Sequence, residues 1–133
     1  MADRTRWRRE ASEREHAVKQ QLYAEYLGVL SLTRHRLRDL KRSTGLTRDE
    51  LRKQAGEILG STNAHHVRYQ MLLIAPERLG HVADQAYMRL QDLRDRFDDP
   101  NVNTGPEWSL AQSALGEALD ALRTAMRSDL TSG

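Results

Sequence analysis

The chain has 133 residues, 38% hydrophobic and 30% charged, which is long enough for one domain with a core and too apolar for a disordered chain. It lacks cysteine and any run near the roughly 18 apolar residues of a spanning helix, which excludes disulfides, thiolate metal sites and transmembrane helices. The net charge is +2, yet residues 1–53 carry 14 Arg and Lys against 8 Asp and Glu, whereas residues 54–133 carry 7 against 11. The basic half can therefore attract the acidic half, a second copy or phosphate.

The first predicted helix runs from Asp3 to about Arg42, a stretch without proline. Apolar or small side chains recur along it with helical spacing at Trp7, Ala11, Val18, Leu22, Tyr26, Val29, Leu30, Thr33, Leu37 and Leu40. Trp7, Val18, Val29 and Leu40 follow one another at intervals of eleven residues. This spacing keeps an apolar stripe on one face of a long helix. Gly45 suits the left-handed cap that ends such a helix.

The second predicted helix opens with a capping box at Thr47 to Glu50. Its stripe consists of Leu51, Ala55, Ile58, Thr62, His65, Tyr69 and Leu72. The stripe continues through Gly60 to Asn63, where propensity alone predicts a loop, so we expect one continuous helix that is weak at this point. Ala75-Pro76 ends the helix, because proline disfavours helical backbone at the preceding residue.

Two further helices are predicted to begin at Pro76 and Pro106, since proline suits the first helical turn. The third carries a stripe of Leu79, Val82, Ala86, Leu90, Leu93 and Phe97. The fourth carries Trp108, Ala111, Leu115, Leu119, Leu122, Met126 and Leu130. Four amphipathic helices with short connections predict an all-α fold, a four-helix antiparallel bundle that forms a single domain over residues 1–133.

The first predicted helix is longer than its neighbours. At 1.5 Å per residue it exceeds the second by about 18 Å, so residues 3–20 should overhang the bundle. An unsupported helix end is marginal in water, yet the apolar stripe persists to Trp7. We therefore expect a homodimer in which the interaction residues are Trp7, Ala11, Arg14, Val18 and Leu22. The alternative is that Trp7 packs on the end of its own bundle.

Two segments resemble a large group of uncharacterised actinobacterial helical proteins. Arg6–Glu10 followed by Leu22–Leu27 resembles their opening, a Trp and an Arg/Glu-rich turn followed by a Tyr and an aromatic–Leu pair. Leu72–Leu79 resembles their apolar run, proline and helix start. Many members carry a transmembrane segment before the Trp helix, so the resemblance implies a place at the cytoplasmic face of the membrane. This chain carries no such segment, and we expect it in the cytoplasm; the resemblance implies no known activity.

Few residues in the sequence suggest catalysis or metal binding. Glu13-x-x-His16 is the unit that di-iron bundles use twice, but it occurs once, so a solvated helix face is expected. His65 and His66 point about 100° apart on a helix and cannot easily share one metal with His81, and we expect His65 to be buried beside Tyr69. No phosphate-loop, dinucleotide or serine-hydrolase motif occurs. The sequence predicts no metal, no cofactor and no enzymatic activity.

A DNA-associated protein is the main alternative function. Gly45–Gly56 resembles the first helix of a helix-turn-helix, and Asn63–Gln70 would be its reading helix. Arg52 replaces the small residue that this motif packs, and Glu57–Leu59 lengthen the turn, so only phosphate contacts by the basic first helix are expected. Membrane-surface binding is disfavoured because acidic residues interrupt the basic clusters. We predict a self-associating protein-interaction module, with itself or another protein as the partner.

Overall fold

The computed structural model describes residues 2–102 and 104–132. Within these residues the chain forms five α-helices, a 3-10 turn at Arg96–Asp98 and no β-strand. The helices are α1 (Ala2–Lys41), α2 (Arg48–Ser61), α3 (Ala64–Ile74), α4 (Glu77–Asp95) and α5 (Glu107–Ser132). The prediction of an all-α fold is confirmed. The predicted set of four helices is not, because the second predicted helix is two helices.

The break between α2 and α3 lies at Thr62 and Asn63. Thr62 keeps a right-handed backbone, whereas Asn63 has φ 64° and ψ 18°, the left-handed conformation that asparagine tolerates better than most residues. This interruption shifts the phase of the buried face. After it, Ala64, Val67 and Met71 are buried, while the predicted stripe residues His65, Tyr69 and Leu72 are exposed. The prediction of one continuous helix is therefore wrong, and so is its stripe beyond Thr62.

The helix boundaries follow local signals in the sequence. Thr47 is the N-cap of α2, where its hydroxyl oxygen accepts a hydrogen bond from the backbone N–H of Glu50 at 3.2 Å. Gly45, between α1 and α2, has φ 81°, a conformation that favours glycine. Pro76 precedes α4, and its carbonyl accepts a hydrogen bond from the Gly80 N–H at 2.8 Å. The predicted starts at Thr47 and Pro76 are therefore confirmed, and α3 ends at Ile74, before Ala75-Pro76, as predicted. Gly45 has a left-handed backbone but lies four residues beyond Lys41, the last residue of α1, so it is not the cap of that helix.

The core is formed by side chains that the helices turn towards one another. The largest that are fully buried include Tyr23, Tyr26, Leu30, Leu37, Val67, Met71, Leu90, Leu93, Phe97, Leu115 and Leu122. The Tyr26 hydroxyl donates a hydrogen bond to the Ala83 carbonyl at 2.8 Å and so joins α1 to α4. Phe97 and Trp108 meet edge to face with ring centroids 5.3 Å apart, which closes the end where α4 leads into α5.

Candidate functional site

The N-terminal part of α1 leaves the core near Lys19. Tyr23 is buried and donates its hydroxyl to the Asp129 carboxylate at 2.6 Å, and the Lys19 ammonium lies 3.7 Å from the same carboxylate. From Arg4 to Val18, every side chain is exposed except the half-buried Ala11. We name residues 4–18 the projecting segment. It lies within residues 3–20, where the sequence predicts an overhang.

The projecting segment carries charges of both signs on its exposed surface. Its basic residues are Arg4, Arg6, Arg8, Arg9 and Arg14, and its acidic residues are Glu10, Glu13 and Glu15. Arg6 Nε lies 3.3 Å from Glu10 Oε1, one turn along the helix. Such an exposed pair contributes only a few tenths of a kcal/mol to helix stability. The charges therefore support the helix weakly and remain accessible to another molecule.

A groove separates the projecting segment from the end of α3. It has a volume of about 510 Å³ and is lined by Ala11, Arg14, Glu15, Val18, Lys19 and Ile74. We name it the α1–α3 groove. A smaller cavity of about 260 Å³ continues it between Val18 and Leu73. Val18 is 54% exposed, Ile74 42% and Leu73 83%, so this part of the surface presents three neighbouring aliphatic side chains to solvent.

The structure brings together three of the five predicted interaction residues. Ala11, Arg14 and Val18 line the α1–α3 groove. Trp7 is 65% exposed and lies about 16 Å further along the helix axis from Val18, so it does not pack on the end of its own chain. Leu22 is only 6% exposed, because it is packed into the core of its own chain.

Two residues of the groove surface, Leu73 and Ile74, are missing from the interaction residues that the sequence predicts. They belong to the apolar run Leu72–Ile74, of which only Leu72 lies on the predicted stripe of the second helix. Three consecutive apolar residues cannot all lie on one face of a helix, since successive side chains differ by about 100°. The run Leu72–Ile74 therefore indicates, from the sequence alone, that one of its three side chains is exposed. Neighbouring exposed aliphatic side chains are more informative than single ones, because they mark interaction surfaces.

The histidines do not form a metal site in the part of the chain that the structure describes. His65, predicted to be buried, is exposed because the break at Asn63 turns it outwards. Its ring does lie edge-on to Tyr69, with centroids 5.2 Å apart. Residues 2–102 and 104–132 hold no cluster of three or more metal-ligating side chains placed to bind an ion. The absence of a bound metal remains a prediction that elemental analysis of the purified protein can check.

Two other clefts are lined mainly by groups that are already partnered or apolar. A cleft of about 540 Å³ beside Gly56 and Gly60 contains Arg94, which pairs with Asp95 at 2.9 Å. A cleft of about 650 Å³ between α4 and α5 is lined by aliphatic side chains such as Leu79 and Val82 and by polar ones that include Asp120, paired with Arg123, and Asp129, paired with Tyr23. Neither cleft presents an arrangement of nucleophile and base that we can assign.

The helix that would read DNA in the alternative function, α3, turns a mostly uncharged face to solvent. Its single Arg or Lys is Arg68, whose Nε donates to Asp84 Oδ1 at 2.7 Å and whose guanidinium lies 5.2 Å from the centre of the Tyr87 ring. The exposed residues of α3 are His65, His66, Tyr69, Leu72, Leu73 and Ile74. Reading helices rely on polar and cationic side chains aimed at base edges and phosphates. The outer face of α3 is better suited to apolar contact.

Comparisons with known proteins do not assign a family to the chain. No helix in the described residues has the length and apolar character needed to cross a bilayer. No family model matches the chain, and no curated protein or solved structure is significantly similar to it. The projecting segment and the α1–α3 groove are therefore the strongest candidates for a functional surface.

Proposed function

We propose that the protein is a non-enzymatic, self-associating interaction module that pairs through the projecting segment of α1. The observation that carries the proposal is the exposure of Trp7, at 65%, within a helical segment whose side chains from Arg4 to Val18 are all exposed except Ala11. An isolated helix of this length is marginal in water, so the segment needs contacts from outside to persist. Full burial of a large apolar side chain contributes roughly 1.5–3 kcal/mol, and a two-fold pair would bury two indoles, which adds to the free energy that favours pairing.

The proposed scaffold is an antiparallel bundle in which two shorter helices, α2 and α3, take the place of the second helix. The Thr33–Thr62 contact supports this arrangement, since it joins the break between α2 and α3 to the middle of α1. Tyr23 in the middle of α1 contacts Asp129 near the end of α5, and Lys41 at the end of α1 lies 5.3 Å from the centre of the Trp108 ring at the start of α5, so the two contacts together support opposite directions for α1 and α5. This scaffold leaves the first turns of α1 outside the core, where a second copy can reach them.

Phosphate binding is the second candidate function. Its supporting observation is that Arg4, Arg8 and Arg9 are exposed on the projecting segment. Arginines of this kind bind nucleic acid through the backbone and without sequence preference. The apolar outer face of α3 supports the interaction module instead, because a reading helix would need charged or polar groups there.

Sedimentation velocity at micromolar concentration tests self-association. We expect a dimer for the unchanged chain and a shift towards monomer for Trp7→Ala. Leu110→Ala is the matched control, because Leu110 on α5 is 67% exposed and its truncation removes a similarly exposed apolar side chain elsewhere. A chain that is monomeric throughout, with Trp7→Ala altering neither mass nor stability, would contradict the proposal.

A further inference from the structure

We propose that two copies pair by antiparallel crossing of their projecting segments, with Trp7 of each chain seated in the α1–α3 groove of the other. This inference rests on the proposed self-association and adds the direction, the register and the receiving site. The occupant of the groove is thus a second copy of this chain.

The spacing of the segment supplies a seam for such a pair. Trp7, Ala11, Arg14 and Val18 follow steps of four, three and four residues, the spacing of the inner positions of a coiled coil. In an antiparallel pair centred between residues 12 and 13, Trp7 lies opposite Val18 of the second copy. Ala11 then lies opposite Arg14 of the second copy, where the small side chain leaves room for the aliphatic stem of the arginine.

The α1–α3 groove lies where this register requires it. Val18 forms one wall and Ile74 the other, and both are about half exposed in the single chain. A flat indole placed over Val18 therefore covers Ile74 as well. Two-fold symmetry makes the contact self-complementary, so one crossing fills two grooves and covers two tryptophans.

Charges beside the seam favour the antiparallel direction. Arg8 and Glu15 lie on the same edge of the seam, one after each of two inner positions. In the antiparallel register Arg8 approaches Glu15 of the second copy, and the pair occurs twice by symmetry. A parallel pair would instead bring Glu10 next to Glu15 of the second copy, which repels. It would also leave both grooves empty.

The surface beyond the groove leaves space for the start of the second helix. Gln21 and Glu25 continue the inner positions of the seam along α1, three and seven residues after Val18, and both are exposed. The N-terminal turn of the second copy therefore lies along polar side chains rather than against the core.

A charge exchange tests the register. Arg8→Glu and Glu15→Arg should each weaken dimerisation, by roughly tenfold, because either change places like charges together at both ends of the crossing. A mixture of the two variants, and the double variant Arg8→Glu with Glu15→Arg, should both restore pairing. Arg9→Glu and Glu13→Arg are the controls, since these exposed residues lie on the outer side of the helix and the changes in charge are the same.

The emission of Trp7 gives an independent readout. Trp108→Phe removes the only other tryptophan, so the remaining fluorescence reports Trp7 alone. We expect its emission to shift to shorter wavelength as the concentration rises through the dimerisation range. If the charge-exchange variants dimerise as tightly as the unchanged chain and Trp7 keeps the emission of a solvent-exposed indole, the antiparallel crossing is overturned while self-association stands. A chain that remains monomeric would overturn both.

Discussion

The hydroxyl oxygens of Thr33 and Thr62 lie 2.6 Å apart and share a hydrogen bond between the middle of α1 and the break that separates α2 from α3. Both residues are buried, and they are the two buried polar residues of the described chain. The Thr33 hydroxyl also lies 2.7 Å from the Val29 carbonyl, whereas the second contact of Thr62, with the Leu59 carbonyl, is longer at 3.4 Å. Because each hydroxyl carries one proton, Thr33 donates to only one of its two partners at a time. The pair therefore fixes the break against α1.

Thr33→Val should lower the free energy of unfolding by about 1–2 kcal/mol, because it leaves the buried Thr62 hydroxyl with only its long contact. Thr62→Val should cost less, since Thr33 keeps its bond to Val29. The double variant should cost less than the two single costs added together, as expected for partners in one hydrogen bond. Urea unfolding of the four proteins measures these values. Strictly additive costs would show that the two hydroxyls do not interact.

Asn63 adopts a positive φ on the surface, where its side chain contributes little packing. Asn63→Gly should keep the stability within about 0.5 kcal/mol, because glycine enters this backbone region without strain. Asn63→Ala should cost about 1 kcal/mol, since a Cβ without a polar partner disfavours the left-handed region. Thermal unfolding of both variants checks the order. If alanine were as stable as glycine, α2 and α3 would have to join into one helix in that variant.

Stability should fall at alkaline pH through Tyr23. Burial, followed by the hydrogen bond to Asp129 and the charge of that carboxylate, raises the pKa of Tyr23 well above its ordinary value of about 10. The folded state therefore holds the phenolic proton more tightly than the unfolded state. This contribution to stability is complete below about pH 10 and is lost as the pH rises further.

Tyr23→Phe should reduce the loss of unfolding free energy between about pH 10 and 11. The loss should not vanish, because burial also raises the pKa of Tyr26. At neutral pH the same variant should be about 1 kcal/mol less stable, since the bond to Asp129 is gone. Urea unfolding across the pH range measures both effects. Tyr69→Phe is the control, because Tyr69 is 56% exposed. An unchanged alkaline profile in Tyr23→Phe would refute the assignment.

Duplex DNA should bind no more tightly than roughly micromolar near physiological salt, the range of ordinary non-specific contact. The reasons are the mostly uncharged outer face of α3 and the acidic balance of residues 54–133. A titration at several salt concentrations measures the affinity and its salt dependence. Nanomolar affinity that disappears when Arg34, Arg36 and Arg38 are changed to alanine would favour the DNA-associated function.

Local signals in the sequence were sufficient for the fold class and for most helix ends. Proline before α4 and the Thr47 cap act within a few residues of the chain, so their effects can be predicted without knowledge of distant contacts. The long stripe of the first helix predicted both the length of α1 and the exposure of Trp7 beyond the core.

Tertiary contacts decided which face of α3 is buried and which further residues of α1 join the core. Tyr23 is buried although it adjoins Leu22 and was not on the predicted stripe, because α1 is covered from more than one direction and Asp129 offers its hydroxyl a partner. The break at Asn63 likewise exposes His65 and puts Met71 in the core. The α1–α3 groove depends on Val18 and Ile74, which are far apart in sequence. The sequence determined where helices form because that depends on neighbouring residues, whereas the groove exists only once distant helices have packed.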